Sequence, residues 1–196
     1  MIRIAILFVI FLLLPGDVLS EDERMVYVES SVDLNAYLVQ EQREDSMEAS
    51  NLLAKIYMKV ETLKRKLQKE MYHELRVRTF LKRSESTTIQ ESYKDDLSAT
   101  SYSVNKGENI VLCLRSRNSA QLIDENTLFY VVLHELAHVM SDEVGHTQEF
   151  GQNFQFLLTN AIKYKLWTFV DYRRHPVEYC GTGLTITPIQ LGFGRR

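Results

Sequence analysis

Residues 124–146 read DENTLFYVVLHELAHVMSDEVGH, and this stretch decides the fold. Asp124 is a favourable helix N-cap, and the residues after it are apolar on almost every side, which predicts a buried helix that reaches Met140. Within that helix His134 and His138 lie four residues apart and therefore on one face, one turn from each other. Burying two imidazole rings without partners costs on the order of 1–3 kcal/mol each. A bound metal ion would satisfy both rings.

The motif that begins at His134 is HELAH, a match to the pattern HExxH. Glu135 lies about 100° around the helix from His134, where its carboxylate can reach a water without binding the metal. A catalytic zinc usually has three protein ligands and an open position. His146 is the predicted third ligand, because Gly145 before it allows the helix to end and the chain to turn. Glu149 is the alternative third ligand, or else a group that orients a ring N–H of a histidine ligand.

The segments around this helix predict an α+β domain. Ile110–Leu114 is short, apolar and β-branched at its start, which predicts a strand. A second amphipathic helix is predicted from Thr147 onward. The Ser- and Thr-rich segment Ser84–Ser103 predicts a loop. Together these elements predict a small mixed sheet on one side of the HExxH helix.

A basic segment, Lys55–Arg83, carries ten Lys or Arg against three Glu. Its apolar residues recur every three or four positions, which predicts one long helix with a single apolar stripe. Asp45 and Glu48 resemble a capping box at its start. We interpret the cations as the solvated face of this helix. The alternative is a contact surface for the phosphates of nucleic acid or anionic lipid.

The N-terminal residues 4–14 are an unbroken run of eleven apolar residues. This run is shorter than the ~20 residues a membrane-spanning helix needs, and it has the length of a signal-peptide apolar region. A signal peptide over residues 1–20 is therefore predicted, with an uncleaved anchor in residues 1–14 as the alternative. Either predicts the secretory pathway or a membrane location, where a Cys113–Cys180 disulfide can form. The acidic residues 21–45 predict a linker, which leaves 46–196 as the single domain.

The composition excludes several classes of protein. A net charge of −3 excludes a chain whose whole surface binds nucleic acid. Two cysteines exclude a disulfide framework and a zinc site made only of cysteines. With 45% apolar residues the chain has enough material for a core.

The motif and its flanks resemble a known family, the WLM (Wss-like) metallopeptidases, which are related to the SprT-like proteins. The resemblance rests on residues 132–138 with Gly145, His146 and Phe150, and it is closer still to uncharacterised WLM-type proteins of large DNA viruses. Residues 103–108, 110–115 and 179–181 are similar to the same pattern. The resemblance spans roughly residues 46–187.

This resemblance implies a minimal zincin-like fold with one Zn²⁺ per chain bound by His134, His138 and His146, and Glu135 as catalytic base. It also implies an edge strand, here Ile110–Leu114, along which an extended peptide binds by β-addition. Cellular members cleave proteins crosslinked to DNA. That substrate class does not fit a chain with a signal-like N-terminus, and we do not transfer it.

The predicted function is that of a zinc metalloendopeptidase acting on a protein or peptide through a zinc-activated water, with Glu135 as general base. The alternative is a zinc-stabilised structural or interaction protein, membrane-anchored and virion-associated. Four residues are potential donors to the oxyanion, with Tyr179 preferred: Tyr172, Arg173, Arg174 and Tyr179. The remaining histidines, His73 and His175, are predicted to be surface residues.

Overall fold

The structure is a computed structural model that describes residues 25–41, 44–93 and 101–189. Helices and short strands alternate along the chain. In chain order the elements are β1 (Met25–Glu29), β2 (Ala36–Gln40), α1 (Ser46–Met71), α2 (Leu75–Arg83), β3 (Thr88–Glu91), β4 (Ser101–Val104), β5 (Asn109–Leu112), α3 (Glu125–Met140), α4 (Gln148–Lys163), β6 (Val177–Tyr179) and β7 (Thr182–Leu184).

The buried helix predicted after Asp124 is α3. Asp124 caps it as predicted, because its carboxylate accepts the Thr127 N–H at 3.0 Å. Twelve of the sixteen residues in α3 are buried. Helices α1, α2 and α4 and strand β4 all pack against it. The HExxH helix is therefore the centre of the core, as its apolar composition predicts.

The predicted mixed sheet is confirmed, and it has three strands in the order β3-β5-β4. Strand β3 runs parallel to β5, whereas β4 runs antiparallel to it. The loop prediction for Ser84–Ser103 is wrong in part, because β3 and β4 lie within it. Both strands are short and polar, which hides them in the composition. Strand β3 joins β5 through a parallel pairing and β4 joins it as a hairpin, and this pairing overrides the local composition.

The expectation that Ile110–Leu114 forms an edge strand is wrong. Strand β5, which contains Ile110, is the central strand, with β3 on one side and β4 on the other. In the part of the chain that the structure describes, β4 pairs with β5 alone and lies at the edge beside α3. Strands β3 and β4 are thus the two edges of this sheet, and β4 is the edge that lies beside α3.

The basic segment forms two helices and not one. Helix α1 ends at Met71 and α2 begins at Leu75. The change of direction buries Val77 and Phe80 of α2 in the core. The capping-box prediction is also wrong, because the Asp45 side chain makes no cap hydrogen bond and instead accepts a hydrogen bond from Arg115 at 2.6 Å.

The structure differs from the linker prediction for residues 21–45. Strands β1 and β2 form an antiparallel hairpin that packs on α1 and β3. Tyr37 and Val39 are buried in the core, and the Ser50 hydroxyl donates to the Val28 carbonyl at 2.7 Å. The linker prediction rests on the charge of the whole segment, whereas the two strands themselves contain one acid, Glu29, and are otherwise largely apolar.

A second hairpin, β6–β7, is joined to the end of β5 by a disulfide between Cys113 and Cys180.

The predicted signal segment, residues 1–20, lies outside the described residues. Among the residues that are described, no helix is both long enough and apolar enough to cross a membrane.

Candidate metal centre

The three predicted ligands lie together at the C-terminal half of α3 and the loop that follows it. His134 and His138 project from one face of α3, and His146 reaches them from the loop between α3 and α4. One ligand nitrogen from each ring lies within 4.8 Å of the other two. The Nε2 atoms of His134 and His146 are 3.0 Å apart. Three imidazoles with convergent nitrogens are a donor set that suits a transition metal.

Two phenylalanine side chains of α4 pack against these rings. Phe150 of α4 stacks on the His138 ring at 4.3 Å between centroids and lies 4.8 Å from the rings of His134 and His146. Phe154 contacts the His134 ring edge-to-face at 5.3 Å. These contacts hold the orientation of the rings and keep water from one side of the cluster.

Burial keeps His134 and His138 neutral. The pKa of His134 is lowered from 6.5 to about 3, mainly by desolvation and then by the neighbouring His138 and His146. The pKa of His138 is lowered by desolvation and by the neighbouring His146. Neutral imidazole is the form that binds a metal, so the site is prepared for a cation near neutral pH.

Glu135 is buried beside the cluster without belonging to it. Its side chain accepts a hydrogen bond from the Ser103 backbone N–H of β4, and only 6% of the residue is exposed. Desolvation raises its pKa from 4.5 to about 7, partly offset by that hydrogen bond. A carboxyl group with this pKa can take up and release a proton near neutral pH.

A cavity of about 530 Å³ opens over the histidines and Glu135. Strand β4 forms one wall, the loop after α3 forms another, and Tyr179, Thr182 and Leu184 contribute a third. This volume is within the usual range of ligand pockets, about 300–1,000 Å³.

The alternative third ligand, Glu149, does not join the cluster. Its two carboxylate oxygens accept the backbone N–H groups of Asp142 and Glu143 at 3.0–3.1 Å. It therefore binds the loop that carries His146, and it does not orient a histidine ring as the sequence suggests. The spacing of Glu149 from His138 could not reveal this role, because it depends on how the loop folds back.

Of the four potential oxyanion donors, Tyr179 alone lines the cavity. Its hydroxyl donates to the Cys113 carbonyl at 2.9 Å and lies 2.6 Å from the Ser101 hydroxyl. The proton of Tyr179 is therefore already engaged. Tyr172 is buried in the core, while Arg173 and Arg174 lie on the surface near Asp171.

The basic helices present fewer free cations than the sequence suggests. Five of their ten cationic side chains form ion pairs with acids, namely Lys55, Lys59, Lys64, Arg76 and Arg83. The Lys64 ammonium is largely buried and also donates to the Ser84 carbonyl at 2.6 Å. This pairing is typical of a solvated helix face. His73 and His175 are exposed, as predicted.

Sequence reasoning missed two groups around the site. The Ser103 N–H that binds Glu135 belongs to a strand that the polar composition hides. Lys106 lines the cavity and donates to the Asp142 carbonyl at 2.6 Å. The turn Asn105-Lys106-Gly107 was visible in the sequence, but the contacts it makes with the end of α3 were not.

Comparison with known proteins finds relatives among large DNA viruses. The chain is 36% identical over 159 residues to the uncharacterised protein R325 of Acanthamoeba polyphaga mimivirus, and the match covers 79% of this chain and 80% of R325. Shorter matches are 46% identical over 63 residues to protein 136R of Invertebrate iridescent virus 6 and 50% identical over 62 residues to protein 042R of Invertebrate iridescent virus 3. These two matches cover 35% and 38% of the viral proteins. No family model matches the sequence.

Two solved structures share the fold. The structure of Wss1 from Saccharomyces cerevisiae superimposes with a TM-score of 0.50 at 23% identity, over 65% of this chain and 88% of Wss1. A Wss1 mutant from the same yeast gives a TM-score of 0.50 at 22% identity, over 66% of this chain and 92% of the mutant chain. At this identity the likeness establishes the fold, and the chemistry must be argued from the site.

Proposed function

We propose that this chain, which belongs to the family of mimivirus protein R325 and shares the fold of Wss1, is a zinc-dependent metalloendopeptidase. The observation that carries the proposal is the juxtaposition of a three-histidine cluster with a buried carboxyl group in one open cavity. The resemblance of the HELAH helix to the WLM metallopeptidases supports the same activity.

The donor set fits zinc. His134, His138 and His146 offer three convergent imidazoles, the donor set of a catalytic zinc site that retains an open position. Phe150 supplies the apolar support behind the rings. Zinc bound there would supply a Lewis acid for the scissile carbonyl and would acidify the attacking water.

Glu135 would act as the general base. Its carboxylate takes a proton from the water that attacks the scissile carbonyl and then delivers that proton to the leaving amine. The Ser103 N–H of β4 faces this carboxylate and stabilises its ionised form. A raised pKa makes both the uptake and the release of the proton accessible near neutral pH.

Strand β4 would bind the substrate. It lies at the edge of the sheet, and Ser101, Tyr102 and Ser103 all line the cavity. An extended peptide could add to this edge through backbone hydrogen bonds, which would place a peptide bond next to Glu135. The substrates would therefore be unfolded or extended protein segments.

A secretory or membrane-anchored location remains part of the proposal. It rests on the apolar residues 4–14, which lie outside the described residues, and on the Cys113–Cys180 disulfide, which is typical of oxidising compartments. Contact of the Lys55–Arg83 surface with nucleic acid has no support beyond its charge.

The test is cleavage of a denatured protein by the wild-type chain and by Glu135→Gln, both loaded with zinc. We expect the substitution to abolish cleavage while the bound zinc remains, because Glu135 is not a ligand. Cleavage by Glu135→Gln at the wild-type rate would reject Glu135 as the base. A zinc-loaded wild type without any proteolysis would favour the alternative of a zinc-stabilised structural protein.

A further inference from the structure

The loop that carries His146 has little apolar support of its own. We call residues 141–146 the ligand loop. Residues 142–145 are all exposed, and Val144 exposes 87% of its surface. Gly145 adopts a left-handed φ of 90°, which glycine tolerates best. His134 and His138 are fixed by α3, whereas His146 is exposed and has the contact of its ring with Phe150 as apolar support.

Polar contacts replace that missing burial. On one side the Arg83 guanidinium donates to the carbonyls of Val139 and Ser141 at 3.1 and 3.0 Å and pairs with the Asp142 carboxylate at 2.6 Å. The Lys106 ammonium donates to the Asp142 carbonyl at 2.6 Å. Both cations therefore lie at the C-terminal end of α3, where the helix dipole favours positive charge.

Glu149 holds the opposite side of the same segment. Its carboxylate accepts the N–H groups of Asp142 and Glu143 from the first turn of α4. The carbonyls of the segment thus face two cations, and its amides face an anion. All three charged side chains come from outside the ligand loop.

The backbone that presents Lys106 is itself unusual. Asn105 and Lys106 both have left-handed φ values, 48° and 54°, which non-glycine residues seldom adopt. The Thr87 hydroxyl donates to the Gly107 carbonyl and holds this turn in place. This turn joins β4 to β5, a hairpin connection in which left-handed residues are common, and it directs Lys106 to the ligand loop.

We propose that Arg83, Lys106 and Glu149 are positioning residues that hold the ligand loop so that His146 meets the other two histidines. This proposal rests on the proposed three-histidine metal site. It adds that the affinity for the metal depends on charged groups that touch neither the metal nor the substrate. Groups of this kind typically change metal affinity about 10- to 100-fold.

The experiment measures zinc affinity by competition with a chromophoric chelator in four proteins: wild type, Glu149→Gln, His146→Ala and the double variant. The change Glu149→Gln keeps the shape of the side chain but removes its charge and one acceptor oxygen. We expect Glu149→Gln to weaken zinc binding about 10-fold in the wild-type background and to have no further effect once His146 is absent. The melting temperature of the metal-free Glu149→Gln protein should stay close to that of the wild type.

An equal loss in both backgrounds would overturn the proposal, because it would indicate an electrostatic effect that acts directly on the ion. Unchanged affinity in Glu149→Gln, with a large loss in His146→Ala, would overturn the positioning role and leave the metal site intact. Unchanged affinity in His146→Ala would reject the three-histidine site itself. Lys106→Met should weaken zinc binding in the same pattern as Glu149→Gln. The matched control is Glu48→Gln, which removes an exposed carboxylate from the first turn of α1 and should bind zinc as the wild type does.

Discussion

Removal of the Cys113–Cys180 disulfide should destabilise the protein strongly. The bond joins residues that are 67 positions apart, and a crosslink of that span lowers the entropy of the unfolded chain by an amount worth about 4 kcal/mol at 25 °C. The variant Cys113→Ala/Cys180→Ala loses this constraint. In the folded state the β6–β7 hairpin keeps other ties: the Ser116 hydroxyl donates to Glu178 at 2.6 Å, and the Tyr179 hydroxyl contacts the Cys113 carbonyl and the Ser101 hydroxyl. The loss should therefore come mainly from the unfolded state.

Urea denaturation followed by tryptophan fluorescence measures this loss directly. The chain has a single tryptophan, Trp167, and only 3% of it is exposed, so its emission reports the core. We expect the free energy of unfolding to fall by about 4 kcal/mol and the slope m to rise, because the unfolded chain exposes more surface without the crosslink.

A phosphine reductant supplies the matched control. It should shift the wild-type unfolding curve onto that of the double variant and leave the variant unchanged. A loss below about 1 kcal/mol would show that the disulfide does not constrain the unfolded chain as expected. So would a variant whose m value does not change while its stability falls, because the effect would then lie in the folded state.

Buried charges and the metal site support three further predictions. Arg115→Met removes the cation that pairs with the fully buried carboxylate of Glu91, so the free energy of unfolding in urea should fall by about 3–5 kcal/mol. Adding Glu91→Gln to the same chain should restore part of that loss. An Arg115→Met protein as stable as the wild type would contradict this prediction. In metal-free protein the raised pKa of Glu135, about 7 against 4.5, contributes stability that is fully present below pH 4.5 and is lost as the pH rises through 7. Glu135→Gln should therefore raise the free energy of unfolding of the metal-free protein by about 3 kcal/mol at pH 8 and alter it little at pH 4. An equal effect at both pH values would contradict the raised pKa of Glu135. Zinc at about 1,000 times its Kd should add about 4 kcal/mol to the free energy of unfolding. In a thermal melt, EDTA should reverse this gain. A melting temperature that neither zinc nor EDTA changes would contradict a metal site in the folded protein.

Helices α3 and α4 were predictable because their signals are local. Asp124 caps α3 as predicted, because a capping side chain binds a backbone N–H three residues later. Helix α4 begins next to Thr147 as predicted, and the structure adds that the Thr147 hydroxyl accepts the Phe150 N–H. The convergence of His134 and His138 was predictable for a similar reason, because a separation of four residues places them on one helix face.

The strands and the ligand loop were less predictable because local composition does not reveal what they pack against. Strand β4 is polar, and its place at the sheet edge depends on pairing with β5 and packing on α3. The hairpin β1–β2 lies in a segment that is acidic as a whole, yet its strands are largely apolar and pack against α1. Glu149 was considered as a metal ligand, although the fold directs its carboxylate to the backbone of the ligand loop.

Elemental analysis of the purified chain, with His146→Ala measured beside it, tests for the three-histidine zinc site. We expect about one zinc per wild-type chain, and a zinc content that is sharply reduced in the variant after dialysis against a weak chelator. A well-folded wild type that holds no zinc, or a His146→Ala protein that retains the full amount, would contradict it.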